Sequence, residues 1–494
     1  MKNLIPVLLA LLMFNACTAN SNTGKYTTAK FPLELPEGSV EGKDVTFGYV
    51  TVPEFHGKSN GSTMEIAVAV FHSYSAYPAP DPLVLLGGGP GESNISSFTG
   101  LLCGEAGKLM RSNRDVVLIE IRGTCLSKPS LICPEVFECE REMHKLEVTA
   151  DEMLAFMTKS VKTAHDRFKE AGINLAAFNN SEIADDIDMV MKALEYKKYG
   201  VFGFSAGTIT VQYLLERYPE SLSATIMTGV VSLEDNLAAS GANTIATLEN
   251  IFKICEADEK SRSAFPDLEN RFLHLLDSLN AHPVPIQLQD ENGEEFTYLV
   301  TGDKISRWLA FGMYMNNQVP LTVSKFLQGD YSEFTSSLYN AAPQETFSHG
   351  LSFSIMASEF VSSLSNSYPY SKKYESFYNG LTTAWHSPQF NKKMGEAWDI
   401  KPLELNYKPP VNDVPTLMLC AEFDHVCPPK YAEALTAGLS NSYLYLFKGL
   451  AHTQVALTPC LMFMMHEFMN DPSKAPDGSC AQQYQNEFVT QLSL

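Results

Sequence analysis

Tyr199-Gly200-Val201-Phe202-Gly203-Phe204-Ser205-Ala206-Gly207 joins an apolar run to a serine set between two glycines. Residues 199–204 read as a buried strand and residues 208–217 as a helix. A serine at that junction sits on a sharp turn that lifts its hydroxyl clear of the backbone. Glycine on both sides allows the close approach such a turn demands. Ser205 is therefore the candidate nucleophile. The five-residue pattern alone is weak, because Gly57-Lys58-Ser59-Asn60-Gly61 fits it too. That second match lies in a polar turn with no helix after it and reads as a plain hairpin turn.

Working outward, residues 45–52 and 64–71 alternate as two strands of a hairpin. Residues 83–86 are entirely apolar and run into Gly87-Gly88-Gly89-Pro90-Gly91, and residues 116–121 run into Arg122-Gly123. Residues 181–194 are spaced as a helix, with Ser181 as a cap and Ile183, Ile187, Val190 and Leu194 on one face. Residues 224–230, 416–420 and 443–447 read as further buried strands. Continuous apolar strands separated by helices indicate an α/β architecture, a mostly parallel, doubly wound sheet covered on both faces. After residue 232 the alternation gives way to helical patterns such as 243–255 and 268–279, and it resumes near residue 413. The expected organisation is a core of residues 35–235 and 405–494, interrupted by a mainly helical cap of residues 236–404.

A serine hydroxyl needs a base, and the base needs an orienting carboxylate. On this architecture the order along the chain is serine, acid, histidine. Asp424 follows the strand 416–420, and His452 follows the strand 443–447. They are the candidate acid and base, with Glu422 and His425 as rivals. The oxyanion formed when serine attacks a carbonyl needs backbone N–H donors. Ala206 supplies one and the loop after residue 86 the other, with Gly88 preferred over Gly89.

Composition narrows the partners. The chain has 494 residues, 36 basic and 57 acidic side chains and a net charge of −21. Nucleic acid and anionic lipid surfaces would be repelled. With 45% hydrophobic residues it can bury a large core. Lys2 followed by the apolar residues 4–14 reads as an export signal, too short to span a bilayer. Ala16-Cys17 resembles a bacterial lipoprotein site, so residues 1–16 are expected to be removed, Cys17 lipidated, and residues 17–34 left as a tether. Lipid would then be the chain's single membrane attachment. Lipidation would leave an odd number from the 10 cysteines, hence at least one free thiol. Cys420, ending an apolar strand, is expected to be a buried thiol. No C-x-x-C or H-E-x-x-H occurs, so neither a metal nor another cofactor is expected.

Taken in order, these segments resemble the secreted tripeptidyl/prolyl aminopeptidase family of α/β-hydrolases. Gly87-Gly88-Gly89-Pro90-Gly91 resembles its H-G-G-P-G loop, with Gly87 in the histidine's place. Glu120 to Ser127 resembles its D-x-R-G-x-G-x-S segment, with Glu120 for aspartate and Cys125 for glycine. The resemblance implies an α/β-hydrolase fold and a Cys460–Cys480 disulfide. It also implies an exported serine aminopeptidase acting on peptides with a free N-terminus. Glu359 resembles an acidic position late in the family's cap, which implies a role in holding the substrate amine. A carboxylesterase or lipase of the same fold is the alternative. A catalytically dead binding protein is disfavoured, because all three triad candidates are present.

Overall fold

The computed structural model describes residues 23–58, 61–143, 148–234, 236–289, 293–338, 346–361, 364, 368–382, 387–404 and 408–490. Cys17 and Ser59 lie outside them. The strands are β1 (Tyr26–Ala29), β2 (Val45–Pro53), β3 (Thr63–Phe71), β4 (Leu83–Leu86), β5 (Val116–Ile119), β6 (Tyr199–Phe204), β7 (Leu222–Thr228), β8 (Val284–Gln289), β9 (Glu295–Val300), β10 (Thr416–Ala421) and β11 (Ser442–Phe447). Nine of them form one sheet in the order β1-β2-β3-β5-β4-β6-β7-β10-β11. The first three pair antiparallel, β3 meets β5 antiparallel, and every pairing from β5 to β11 is parallel.

The parallel strands are apolar at nearly every position because both faces are covered. Val84 and Leu86 of β4 enter one core, with Ile187 and Leu214 from the helices Asn180–Ala193 and Gly207–Arg217. Leu83 and Leu85 enter the other, with Ile95 and Leu461 from the helices Asn94–Cys103 and Pro459–Asn470. Each such aliphatic side chain contributes about 1.5–3 kcal/mol by leaving water.

The order of strands places the chemistry. The chain passes from β4 outward to β5, then crosses back over β4 to β6. Loops leaving β4 and β6 therefore face each other across a switch point, where open α/β sheets bind ligands. Leu86 pairs with Gly203 at that point, so the glycine-rich loop and Ser205 emerge side by side.

Several expectations need correction. Residues 26–29 belong to the sheet rather than to a tether: β1 pairs with β2, and Phe31 is buried edge-on against Phe47 and Phe71. Gly48 makes room for this strand, since a Cβ there would lie 2.3 Å from the Thr27 carbonyl oxygen. Asn179, not Ser181, caps the helix Asn180–Ala193, accepting from the Glu182 N–H. The strand after residue 115 stops at Ile119, because Glu120 turns inward to a buried site. β11 is an edge strand with Leu444 and Leu446 exposed, not a buried one.

The inserted segment is mainly helical but also holds the antiparallel hairpin β8–β9. Its own core gathers Leu248, Phe272, Leu309, Phe326 and Phe377. The helices His349–Ile355 and Pro388–Trp398 instead join the first sheet-facing core. There Trp398 packs on Phe168 and donates to Ser354 Oγ at 2.8 Å.

Candidate active site

β6 delivers Ser205 onto a left-handed turn, with φ 52°. The flanking glycines are required by contact as well as by backbone freedom. A Cβ on Gly203 would lie 2.7 Å from Val211 Cγ2, and one on Gly207 2.7 Å from the carbonyl oxygens of Leu86 and Gly87. The Ser205 N–H donates to the Thr228 carbonyl at the end of β7. The helix Gly207–Arg217 starts at once, so its N-terminus faces the site.

His452 reaches Ser205 from the far end of the chain. Its Nε2 is 2.9 Å from Ser205 Oγ, and its Nδ1 is 2.7 Å from Asp424 Oδ2. Asp424 Oδ1 accepts from the N–H groups of Val426 at 3.0 Å and Cys427 at 2.6 Å. Asp424 and His452 are both buried. Gly229 leaves space for the imidazole, since a Cβ there would sit 2.8 Å from its Cε1. The rivals do other work. Glu422 accepts from the Gly449 N–H and braces the loop that carries His452. His425 lies edge-on to Tyr314.

This arrangement moves one proton along a fixed line. Nε2 takes the Ser205 proton as Oγ attacks a carbonyl, and later hands it to the leaving group. Asp424 holds the ring and stabilises the imidazolium. Asp424, Cys427 and His452 offer donor atoms within 4.8 Å of one another. Yet both Asp424 oxygens are committed to N–H donors, and burial pushes the Cys427 thiol far above its usual pKa.

The loop after β4 stands against the nucleophile. A Cβ on Gly88 would be 3.4 Å from Ser205 Cβ, so Gly88 and Ala206 flank the serine as candidate oxyanion donors. The Gly87 N–H is fixed by Asn94 Oδ1 at 2.8 Å, and Asn94 Nδ2 donates to the Ile119 carbonyl at 2.7 Å. The place of the family's histidine side chain is taken by Asn94 Oδ1 and Glu92 Oε2, 3.0 and 3.5 Å from a Cβ built on Gly87. Glu120 is buried, which raises its pKa, and accepts from the Ile95 N–H at 3.1 Å. Arg122 is a structural clamp. It bonds both oxygens of Asp186, at 2.7 and 2.6 Å, and His56 shares that carboxylate.

Glu359 lies elsewhere than the resemblance implied. It is buried in a π-helical turn, Met356–Phe360, that continues the helix His349–Ile355. One of its oxygens accepts from the Asn180 N–H at 2.5 Å and the other from Asn180 Nδ2 at 2.8 Å. Burial pushes its pKa up to about 7. Asn180 lines a small cavity together with Gly88 and Ala206, and Glu359 holds Asn180 in place. Its carboxylate is thus already engaged and is not open to a ligand amine.

Two neighbours of the triad gave no signal in the sequence. Tyr314 comes down from the cap with its ring 5.5 Å from that of His452. Glu92 lines the same cavity as Gly88 and Ala206. Both are close only through long-range packing, although an acid directly after G-G-P-G could have been noticed. A separate recess of about 360 Å³ lies on the cap among Gln318, Thr322, Lys325 and Glu333, away from the nucleophile.

Family comparisons agree with this geometry. Residues 81–274 match the α/β hydrolase fold model, and residues 385–480 match the TAP-like protein model. The first span holds Ser205, and the second holds Asp424 and His452. The chain is a TAP-like α/β-hydrolase. A stretch of 202 residues is 26% identical to the serine protease Hip1 of Mycobacterium tuberculosis and of Mycobacterium bovis. It spans 40% of this TAP-like hydrolase but only 37% of the length of Hip1. Solved structures are more distant. The α/β hydrolase MGS-M2 from a deep-sea metagenome library is 10% identical, with a TM-score of 0.39 over 83% of this chain and 95% of that one. A thermophilic esterase from Thermogutta terrifontis is 13% identical, with a TM-score of 0.36 over 86% and 99%.

The Cys460–Cys480 disulfide is present, with the two Cα atoms 5.7 Å apart. Cys420 is a buried thiol whose pKa is raised by burial. Among the described residues no helix is long and apolar enough to cross a membrane.

Proposed function

We propose that this serine hydrolase is an exported aminopeptidase that cleaves peptides near a free N-terminus through an acyl-enzyme on Ser205. The observation that carries the reading is the hydrogen-bonded line Ser205–His452–Asp424, with Tyr314 of the inserted segment packed on the His452 ring. The TAP-like match over the segment holding the acid and base supports it. In the reaction, Ser205 Oγ bonds to the carbonyl carbon and the C–N bond breaks. His452 protonates the departing amine, and water then releases the acyl group by the same relay. Gly88 and Ala206 N–H groups are the oxyanion donors in this scheme. A disulfide suits an oxidising compartment, which favours export, with Cys17 as the lipid anchor.

A panel of fluorogenic peptides with free and acetylated N-termini, set beside short acyl esters, tests the reading. Free-amine peptides should be cut orders of magnitude faster than acetylated ones. Esters outrunning every peptide would assign the chain to the carboxylesterases instead.

A further inference from the structure

The loop that carries the candidate oxyanion donor has a backbone open to many shapes. Gly89 and Gly91 sit at φ 110° and 122°, a region that glycine reaches without a Cβ penalty. Such a loop keeps one shape only where its peptide groups are tied from outside. At its start the Gly87 N–H is bonded to Asn94 Oδ1. Its far half is tied to residues 346–352 of the inserted segment. Ser352, which is buried, donates its hydroxyl to the Pro90 carbonyl. The Ser348 N–H donates to the Gly91 carbonyl at 2.8 Å, and the Ser93 N–H to the Thr346 carbonyl at 2.9 Å. Between them Glu92 and Phe347 pair as an antiparallel bridge. The approach is close: a Cβ on Gly91 would lie 2.6 Å from the Ser348 carbonyl oxygen and 3.2 Å from Ser352 Oγ. Gly88 and Gly89, the two candidate donors, lie between the tie at residue 87 and the tie at residue 90.

The helix His349–Ile355 is not free to follow the loop. The Gly350 N–H donates to the Leu131 carbonyl at 3.0 Å, and a Cβ on Gly350 would lie 2.7 Å from that same oxygen. Leu351 and Phe353 are fully buried, and Trp398 holds Ser354. The turn that follows is fastened through Glu359 to Asn180. The loop therefore takes its shape from the helix.

We propose that Ser352 is a positioning residue for the oxyanion hole: by holding the Pro90 carbonyl, its hydroxyl keeps the Gly88 N–H aimed at the oxygen of the attacked carbonyl. This rests on the serine-hydrolase chemistry and on Gly88 as donor, and it applies to peptides and esters alike. Removing the hydroxyl frees the Pro90 carbonyl to turn, and the glycines beside it let the turn spread to residue 88. An oxyanion donor counts most once the carbonyl oxygen carries charge. The loss therefore falls on the transition state and spares substrate binding.

The test compares wild type with Ser352→Ala and with Ser354→Ala, which loosens the same helix at Trp398 without touching the loop. Active sites are counted with a fluorophosphonate run to completion, so that every rate is per intact site. Ser352→Ala should lose about 10- to 100-fold in kcat on an aminoacyl anilide and on a short acyl ester, with KM changed less than about two-fold. A trifluoromethyl ketone probes the hole itself. Ser205 Oγ adds to its carbonyl carbon, the serine proton passes to His452, and the ketone oxygen becomes the anion the donors must hold. Its inhibition constant should rise by the same factor as kcat falls. The matching methyl ketone, which stays trigonal, should bind as before. Ser354→Ala should lower the melting midpoint and keep the wild-type rate per site. An unchanged rate per site in Ser352→Ala would overturn the proposal. Equal weakening of both ketones, or an equal loss in Ser354→Ala, would also overturn it, because Ser352 would then serve the fold alone. Each loss is a ratio within one substrate. Equal cutting of free and acetylated peptides by wild type would thus sink the aminopeptidase reading and leave this one standing.

Discussion

Ser205 is held at a φ of 52°, a backbone state that costs a non-glycine residue of order 1–3 kcal/mol and persists only where the surroundings impose it. Here the Thr228 carbonyl and the close-packed glycines impose it, and the result is a hydroxyl aimed at His452. Ser205→Ala should keep the fold and lose about 10⁴-fold or more in hydrolysis, measured as kcat/KM beside an unchanged circular dichroism spectrum. Near-normal turnover would remove the serine from the mechanism. Glu359 makes a different prediction. Its carboxyl is raised to about 7 from an ordinary 4.5, so the folded chain binds that proton more tightly than the unfolded chain does. Its stabilising contribution is therefore complete below about pH 4.5 and is lost as pH rises through about 7. Glu359→Gln should flatten the fall in denaturation midpoint across that window. It should leave the preference for free-amine over neutral substrates in place, because the carboxylate faces Asn180. Parallel pH profiles for the two proteins would contradict the assignment.

Elements whose sequence carries one dominant signal were readable, and those fixed by distant contacts were not. β4 and β6 end where expected because unbroken apolar runs meet glycines, and the same punctuation located Ser205. Asp424 and His452 followed from strand ends, since a catalytic loop in this fold must leave the C-terminal edge of the sheet. β1 went unread because Thr27 and Thr28 look like polar linker, and only pairing with β2 and the buried Phe31 make them a strand. The hairpin β8–β9 was missed for a similar reason: Gln287, Gln289 and Glu295 face solvent on a two-stranded ribbon. Glu359 was placed by resemblance alone, which gives a position in the chain but not the Asn180 side chain opposite. The junction of β6 with its helix is the least forgiving element. Gly207→Ala would drive a methyl to 2.7 Å from two carbonyl oxygens of the β4 loop. It should cost about 1–3 kcal/mol of stability and lower kcat more than it raises KM, because the oxyanion loop is what must move. A variant as stable and as active as wild type would refute this close packing.

Across the whole molecule, one catalytic line is assembled from segments 247 residues apart, with the cap inserted between them. The C-terminal segment that carries His452 is fastened by the Cys460–Cys480 bridge, which closes a loop of 20 residues. Replacing both cysteines by alanine should lower stability by about 3 kcal/mol in the chain-entropy model. Turnover at low temperature should change little, read from chemical denaturation and kcat on the same preparation; an unchanged midpoint would make the bridge incidental. The central claim is that these distant segments form a single activated serine. Labelling with a fluorophosphonate, followed by peptide mapping, addresses it directly. One adduct should form, on Ser205, at a rate reduced by orders of magnitude in His452→Ala. Labelling at another residue, or at an undiminished rate without His452, would contradict the account.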